Sequence, residues 1–186
     1  MCKICETKPV YEFTNQRKVC KNCFIRWFQK KVLYTIKKFK MIKKGDVIGY
    51  VCGGDFRGVV LEDVLKWYEE KAPVEIVGLR GSPSNFPKIP KEVSKLAISN
   101  DINVISKKII DSIIKKDVSK LKIRPVEART IRPLYLFLDK EVLIYAKLRK
   151  LKFKKAKDKK QLVDELEIKH PEVKRAVVNS YLELYN

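Results

Sequence analysis

The fold turns on the stretch Gly45-Asp46-Val47-Ile48-Gly49-Tyr50-Val51-Cys52-Gly53-Gly54-Asp55-Phe56-Arg57-Gly58-Val59-Val60-Leu61-Glu62-Asp63-Val64-Leu65-Lys66-Trp67-Tyr68. Val47, Ile48, Tyr50 and Val51 predict a short buried strand. Cys52-Gly53-Gly54 is a tight glycine turn. From Val59 to Tyr68 the residues Val60, Leu61, Val64, Leu65 and Tyr68 recur at helical spacing. Strand, glycine turn and helix is how α/β proteins aim backbone N–H groups at a phosphate. Glycine suits that geometry because a Cβ would obstruct both the turn and the approach of an anion. The same residues also serve as a plain strand-to-helix connection, and both readings stand at this point.

Working outward, Val74 to Leu79 and Leu96 to Ile98 predict two more strands, separated by a Gly-, Ser-, Pro- and Asn-rich loop over 80–90. Val104, Ile105, Ile109, Ile110, Ile113 and Ile114 form the apolar side of a helix. Ile131-Arg132-Pro133-Leu134 is an extended lead-in to another helix over 140–151, with Asp139 as its N-cap. Stretches 161–166 and 171–185 predict closing helices. His170, the sole histidine, precedes Pro171 at a helix start and reads as a cap. Alternating strands and helices predict an α/β fold with a parallel sheet.

Hydrophobic residues make up 45% of the 186, enough for a sizeable core. The formal charge of +20 and a pI near 9.7 call for a polyanionic partner. Nucleic acid is the first candidate and an anionic membrane surface the second. No apolar run approaches the ~18 residues that span a bilayer. Met1 is followed directly by Cys2 and Lys3, with no signal-peptide pattern. A cytoplasmic protein without a membrane partner is expected.

Four of the five cysteines fall in the first 23 residues, as Cys2-x-x-Cys5 and Cys20-x-x-Cys23. Two such turns around a loop predict a tetrahedral thiolate site for zinc. A disulfide reading is disfavoured in a cytoplasmic chain, and reduced or redox-active cysteines are the alternative. Four thiolates leave no open position, so a structural zinc is expected to stabilise a segment with little core of its own.

Ile25, Phe28, Val32, Ile36 and Phe39 then recur every three or four positions over 24–42, predicting an amphipathic helix. Arg26, Lys30, Lys31, Lys37, Lys38, Lys40, Lys43 and Lys44 lie between residues 26 and 44 with no acid among them. A solvated face ordinarily mixes signs, because like charges repel at four-residue spacing. This single-sign face suits phosphate contacts, with Trp27 or Tyr34 stacking on bases; the bland reading makes the aromatics core and the lysines solubilising. A second basic run over 147–160 carries nine cations, Lys154 and Lys155 among them, against Asp158 alone. The expected organisation is a zinc knuckle over 1–25, a basic linker helix over 26–44 and an α/β domain over 45–186.

The order of these parts resembles the tRNA 2-thiouridine synthetase family, adenylating enzymes of the PP-loop type that place sulfur on tRNA uridines. The resemblance rests on the Cys-x-x-Cys knuckle, the basic helix, Lys43-Lys44-Gly45-Asp46, the strand and the glycine pair. It extends to Lys95-Leu96-Ala97 with 109–121, and to Arg132-Pro133-Leu134, Asp139-Lys140-Glu141-Val142 and Tyr145-Ala146. Lys169-His170-Pro171 resembles a stretch near the family's end. It implies a PP-loop (adenine-nucleotide α-hydrolase) sheet and tRNA as partner.

The departures from the family's pattern are specific. Its pyrophosphate loop, Ser-Gly-Gly-x-Asp-Ser, falls on Cys52, Gly53, Gly54, Asp55, Phe56 and Arg57. Both serines are gone and Asp55 stands one position early, and Phe56 can handle neither phosphate nor magnesium. A Gly-His-Asn-x-Asp-Asp segment falls at Ser99-Asn100-Asp101-Ile102-Asn103-Val104, without histidine or paired acids. The family's mid-chain cysteines, for an iron–sulfur cluster or sulfur transfer, are missing, since no cysteine follows Cys52. The region between Gly81 and Lys95 is short.

These departures imply a degenerate, shortened relative with no catalytic residues and a vestigial nucleotide site at Cys52, Gly53, Gly54 and Arg57. It would bind tRNA through Arg26, Lys30, Lys31, Lys37, Lys38, Lys154 and Lys155, as a homodimer or beside an active thiolation paralogue. Two alternatives stand. One is an active ATP- and Mg-dependent tRNA sulfurtransferase, with Arg57 on phosphate and Cys52, at a helix N-terminus, as nucleophile. The other is a zinc-stabilised scaffold that binds protein.

Overall fold

The computed structural model describes residues 1–51, 54–79, 89–117, 121, 123–155 and 162–184, with Leu162 known by its backbone alone. Cys52, Gly53, most of the 80–90 loop and the end of the second basic run lie outside the described residues.

The chain opens with a hairpin of β1 (Tyr11–Glu12) and β2 (Lys18–Val19), antiparallel with Tyr11 opposite Val19. Helix α1 (Lys21–Lys38) starts straight after Cys20. Phe24, Phe28, Val32 and Ile36 are among its buried residues, so it is amphipathic as the spacing predicts. It ends earlier than the apolar pattern. Lys40 adopts a left-handed φ of 48°, and the Met41 N–H donates to the Ile36 carbonyl at 3.0 Å. This is the reversal that stops helices at a left-handed residue.

Strand β3 (Val47–Val51) lies inside a five-stranded sheet of order β4-β3-β5-β7-β6. β4 (Glu75–Leu79) and β5 (Lys95–Ala97) flank it, both parallel, and β7 (Thr130–Ile131) runs parallel to β5. A Cβ on Gly49 would lie 2.9 Å from both Leu79 Cδ1 and Val93 Cγ1, so packing over β3 demands glycine there. The sheet is not wholly parallel. β6 (Val126–Glu127) pairs antiparallel with β7 and forms one edge, through a tight turn with Ala128 at φ 49°. A hairpin two residues deep has no alternation for a sequence to display.

Helix α2 (Phe56–Glu69) begins three residues before the apolar pattern, because the Asp55 side chain accepts from the Gly58 N–H. Helix α3 (Ile102–Ile114) is capped in the same way by Asp101, which accepts from the Val104 N–H. Helix α4 (Asp139–Leu148) is capped by Glu141 rather than Asp139: Glu141 Oε2 accepts from the Leu138 N–H at 3.0 Å. Helices α5 (Leu162–Lys169) and α6 (Val173–Glu183) close the chain.

One hydrophobic cluster runs from Cys2, Val19, Cys20 and Cys23 through Phe24 and Phe28 to Ile48, Leu61, Phe137 and Tyr145. Phe28 stacks on Tyr145 with centroids 4.1 Å apart. A second cluster joins α3 to α6 through Ile105, Ile109, Tyr135 and Val178. Among the described residues no helix is long and apolar enough to cross a membrane.

Candidate functional site

β3 has β4 on one side and β5 on the other, so the chain reverses direction across the sheet there. Open α/β sheets bind ligands in the crevice at the carboxyl ends of such strands. That edge carries Gly54 to Arg57 after β3 and Ser99 to Asp101 after β5. Gly54 is held by a distant segment: its carbonyl accepts from the Lys154 N–H at 2.7 Å. A Cβ there would meet only Lys154 Cδ, at an ordinary 3.6 Å.

The groups at this edge are engaged with one another. Asp55 places a carboxylate on the Gly58 N–H, one of the free donors that a phosphate would use at the N-terminus of α2. Arg57 is buried, and its Nε donates to Asp101 Oδ2 at 2.6 Å. Its Nη1 is 3.6 Å from Asp55 Oδ2, and its guanidinium stacks 4.5 Å above the Phe56 ring. Phe56 is buried and packs edge-on against Phe153. Burial pushes the Asp101 carboxyl up to about 6, against the opposing pull of Arg57. Asp101 is the residue that sequence reasoning missed. Its role as a cap has a local signal, an aspartate just before the apolar run Ile102, Ile105, Ile109. Its pairing with Arg57, 44 residues away, has none.

The knuckle cysteines converge as their spacing predicts. The four Sγ atoms of Cys2, Cys5, Cys20 and Cys23 lie within 4.8 Å of one another, with Cys5 exposed and the other three buried. Cys5 Sγ stands 3.3 Å from that of Cys20, 3.6 Å from that of Cys23 and 3.7 Å from that of Cys2. Cys20 precedes α1 and Cys23 sits in its first turn, so the site is tied to the helix and to the core.

On α1, Arg26, Lys30, Lys37 and Lys38 are all exposed, and Tyr34 is 56% exposed beside them. Lys31 does not belong to that face. Its Nζ is 2.9 Å from Glu141 Oε2 and lies over the rings of Trp27 and Phe137 at 4.8 and 4.5 Å. Burial lowers the Lys31 pKa, offset by Glu141. The physical reason is register: residues 24, 28, 31 and 35 form one row at 3.6 residues per turn, and Phe24, Phe28 and Thr35 are buried. Glu141, 1% exposed, also accepts from Arg175 at 2.9 Å, so the cluster ties α1, α4 and α6 together. Trp27 is half-buried among Phe13, Phe24, Phe28 and Phe137, as the bland reading of the aromatics has it. Lys154 and Lys155 are exposed, Lys154 beside the Gly54 turn.

No family model matches the chain, and no curated protein matches it. A solved structure does: the U34-tRNA thiolase NcsA from Methanococcus maripaludis, with its [4Fe-4S] cluster. It superposes with a TM-score of 0.80 over 98% of this chain and 86% of that chain, at 18% sequence identity. The likeness establishes the fold, an α/β body of the kind that thiolase has.

This finding corrects the expectation of a structural zinc at Cys2, Cys5, Cys20 and Cys23. The thiolase carries a [4Fe-4S] cluster, and four thiolates with no nitrogen or oxygen ligand are also the complete ligand set of such a cluster, so the four cysteines that converge here do not specify zinc.

Proposed function

We propose that the protein binds tRNA as a non-catalytic member of a uridine-thiolation system and carries an iron–sulfur cluster on its four N-terminal cysteines. The tRNA reading is carried by the exposed face of α1. Arg26, Lys30, Lys37 and Lys38 point outward, in a segment with no acid between residues 26 and 44. A face of one sign gains little on its own and much against a phosphate backbone, whose counterions it releases. Lys154 and Lys155 supply a second patch, on the segment whose Lys154 N–H donates to the Gly54 carbonyl.

The non-catalytic reading is supported by the engagement of Asp55 and Arg57. A phosphate arriving at α2 meets the Asp55 carboxylate already on an N–H, and Arg57 already paired with Asp101. Four cysteine ligands leave no iron open to a substrate sulfur, which suits a structural or electron-holding cluster. A subunit of this kind acts beside an active paralogue.

The experiment is tRNA binding by the cluster-loaded full chain over a range of KCl concentrations. Affinity is expected to fall linearly on a log–log plot, by roughly 0.9 per phosphate neutralised. Absence of binding at low salt overturns the reading.

The location of the glycine turn at the sheet's reversal point favours a second reading, an ATP- and Mg-dependent sulfurtransferase. It requires ATP–pyrophosphate exchange that disappears in Arg57→Ala. No exchange is expected.

A further inference from the structure

The last turn of α1, the loop after it and the end of α2 enclose a groove of about 560 Å³, away from the turn at β3. Leu33, Ile42 and Tyr68 give it an apolar lining, joined by Lys37, Lys40 and Lys43. Its form follows from the way α1 ends. The left-handed turn at Lys40 folds the chain back, so that Ile42 and Lys43 line the groove together with residues of the last turns of α1. Leu33 is 37% exposed and the three lysines are all exposed. Asp46, the next carboxylate along the chain, is held by neutral donors and keeps its charge near Tyr68, so the groove carries three lysines against one acid. Its oxygens accept from the Lys43 N–H at 2.7 Å and from Ser94 Oγ at 2.9 Å. The volume falls within the roughly 300–1,000 Å³ of small-ligand clefts.

A bare phosphate patch needs no apolar lining, and an apolar docking groove gains little from three exposed lysines. The two together match an unpaired nucleotide, whose base has an apolar face and whose flanking phosphates are anionic. We propose that this groove receives one unstacked base of an RNA strand. The base lies against Tyr68 and Leu33, and the flanking phosphates lie on Lys37, Lys40 and Lys43. A duplex offers the groove its phosphates but not the face of a base. The proposal rests on the tRNA reading and deepens it, by naming a loop or an end of the RNA as what is held.

The test compares a short single-stranded RNA with the same RNA annealed into a duplex, both bound to the full chain at one salt concentration. The single strand is expected to bind roughly fivefold or more tightly, the low end of what one stacked base contributes. Leu33→Gln, at a partly exposed position that the fold tolerates, is expected to abolish that preference and to weaken tRNA binding by a similar roughly fivefold factor, with the salt slope of tRNA binding unchanged. Photo-crosslinks from 4-thiouridine-labelled RNA are expected on the peptides that contain Leu33 or Tyr68. Equal binding of strand and duplex overturns the groove proposal, and so does a preference that Leu33→Gln leaves intact. Polyglutamate competing as well as the single strand also overturns it and marks a groove for acidic peptides. Loss of all tRNA binding at low salt fails the tRNA reading itself, whereas tRNA binding without strand preference fails the groove alone.

Discussion

Arg57 Nε lies 2.6 Å from Asp101 Oδ2, with the arginine 5% and the aspartate 0% exposed. The pair joins the first turn of α2 to the N-cap of α3, across the carboxyl edge of β3 and β5. A cation in the first turn of a helix sits at the unfavourable end of its dipole. Arg57 is tolerated there because two carboxylates, Asp101 and Asp55, face it. The edge where this fold could hold a phosphate is thus neutralised from within.

The first expectation concerns stability. Arg57→Ala leaves Asp101 buried without its partner and should cost about 3–5 kcal/mol in denaturant unfolding, whereas Asp101→Asn leaves Arg57 the Asp55 carboxylate and should cost less, about 1–3 kcal/mol. Replacing both at once with apolar residues of similar volume, as Arg57→Met with Asp101→Leu, should restore most of the loss. Costs that simply add in the double variant would show that the two residues act independently.

pH should act on the same pair in a definite direction. The folded carboxyl of Asp101 is raised to about 6, above its unfolded value, because burial outweighs Arg57. The native state therefore keeps a proton that the unfolded chain gives up, and stability from this group is present at low pH and lost as pH rises through about 6. The difference in unfolding free energy between the native protein and Asp101→Asn should fall between about pH 4 and about pH 7, then level off. A difference that grows with pH would mean that Arg57, not burial, dominates the site.

Lys30 and Lys31 are neighbours in sequence and should behave in opposite ways. Lys30→Gln removes an exposed charge, so it should lower the salt slope of tRNA binding by about 0.9 and leave stability within about 0.5 kcal/mol. Lys31→Gln takes a partner from buried Glu141, which keeps Arg175, and should cost about 1–3 kcal/mol of stability with the salt slope unchanged. A reduced slope in Lys31→Gln would place that side chain on the RNA.

What was legible in the sequence followed signal length. β3 and α2 announce themselves because eleven of the residues from Val47 to Leu65 are apolar at strand or helix spacing. The start of α2 shifts to Phe56 because a cap, Asp55, outranks the apolar pattern. The hairpins β1–β2 and β6–β7 are two residues deep and carry no period. Lys31 shows the limit of reading charge alone: its place in the row of Phe24 and Phe28 was available, but a lysine among lysines hides it. The link from Arg57 to Asp101 exists only once the sheet places β5 beside β3.

The cysteine site was legible as a ligand set but not as a particular metal, since four thiolates serve more than one. Chain purified without oxygen should contain about four iron atoms and about four acid-labile sulfides, with the visible absorbance of a cluster. Cys20→Ser should lose iron and sulfide together. Loss of the cluster should also loosen the start of α1, because Cys20 and Cys23 belong to the same hydrophobic cluster as Phe24 and Phe28. Hydrogen exchange over the first turns of α1 should rise while β3 stays protected. A single metal ion per chain with no sulfide would overturn the cluster assignment and leave the thiolates to a simpler role in holding α1.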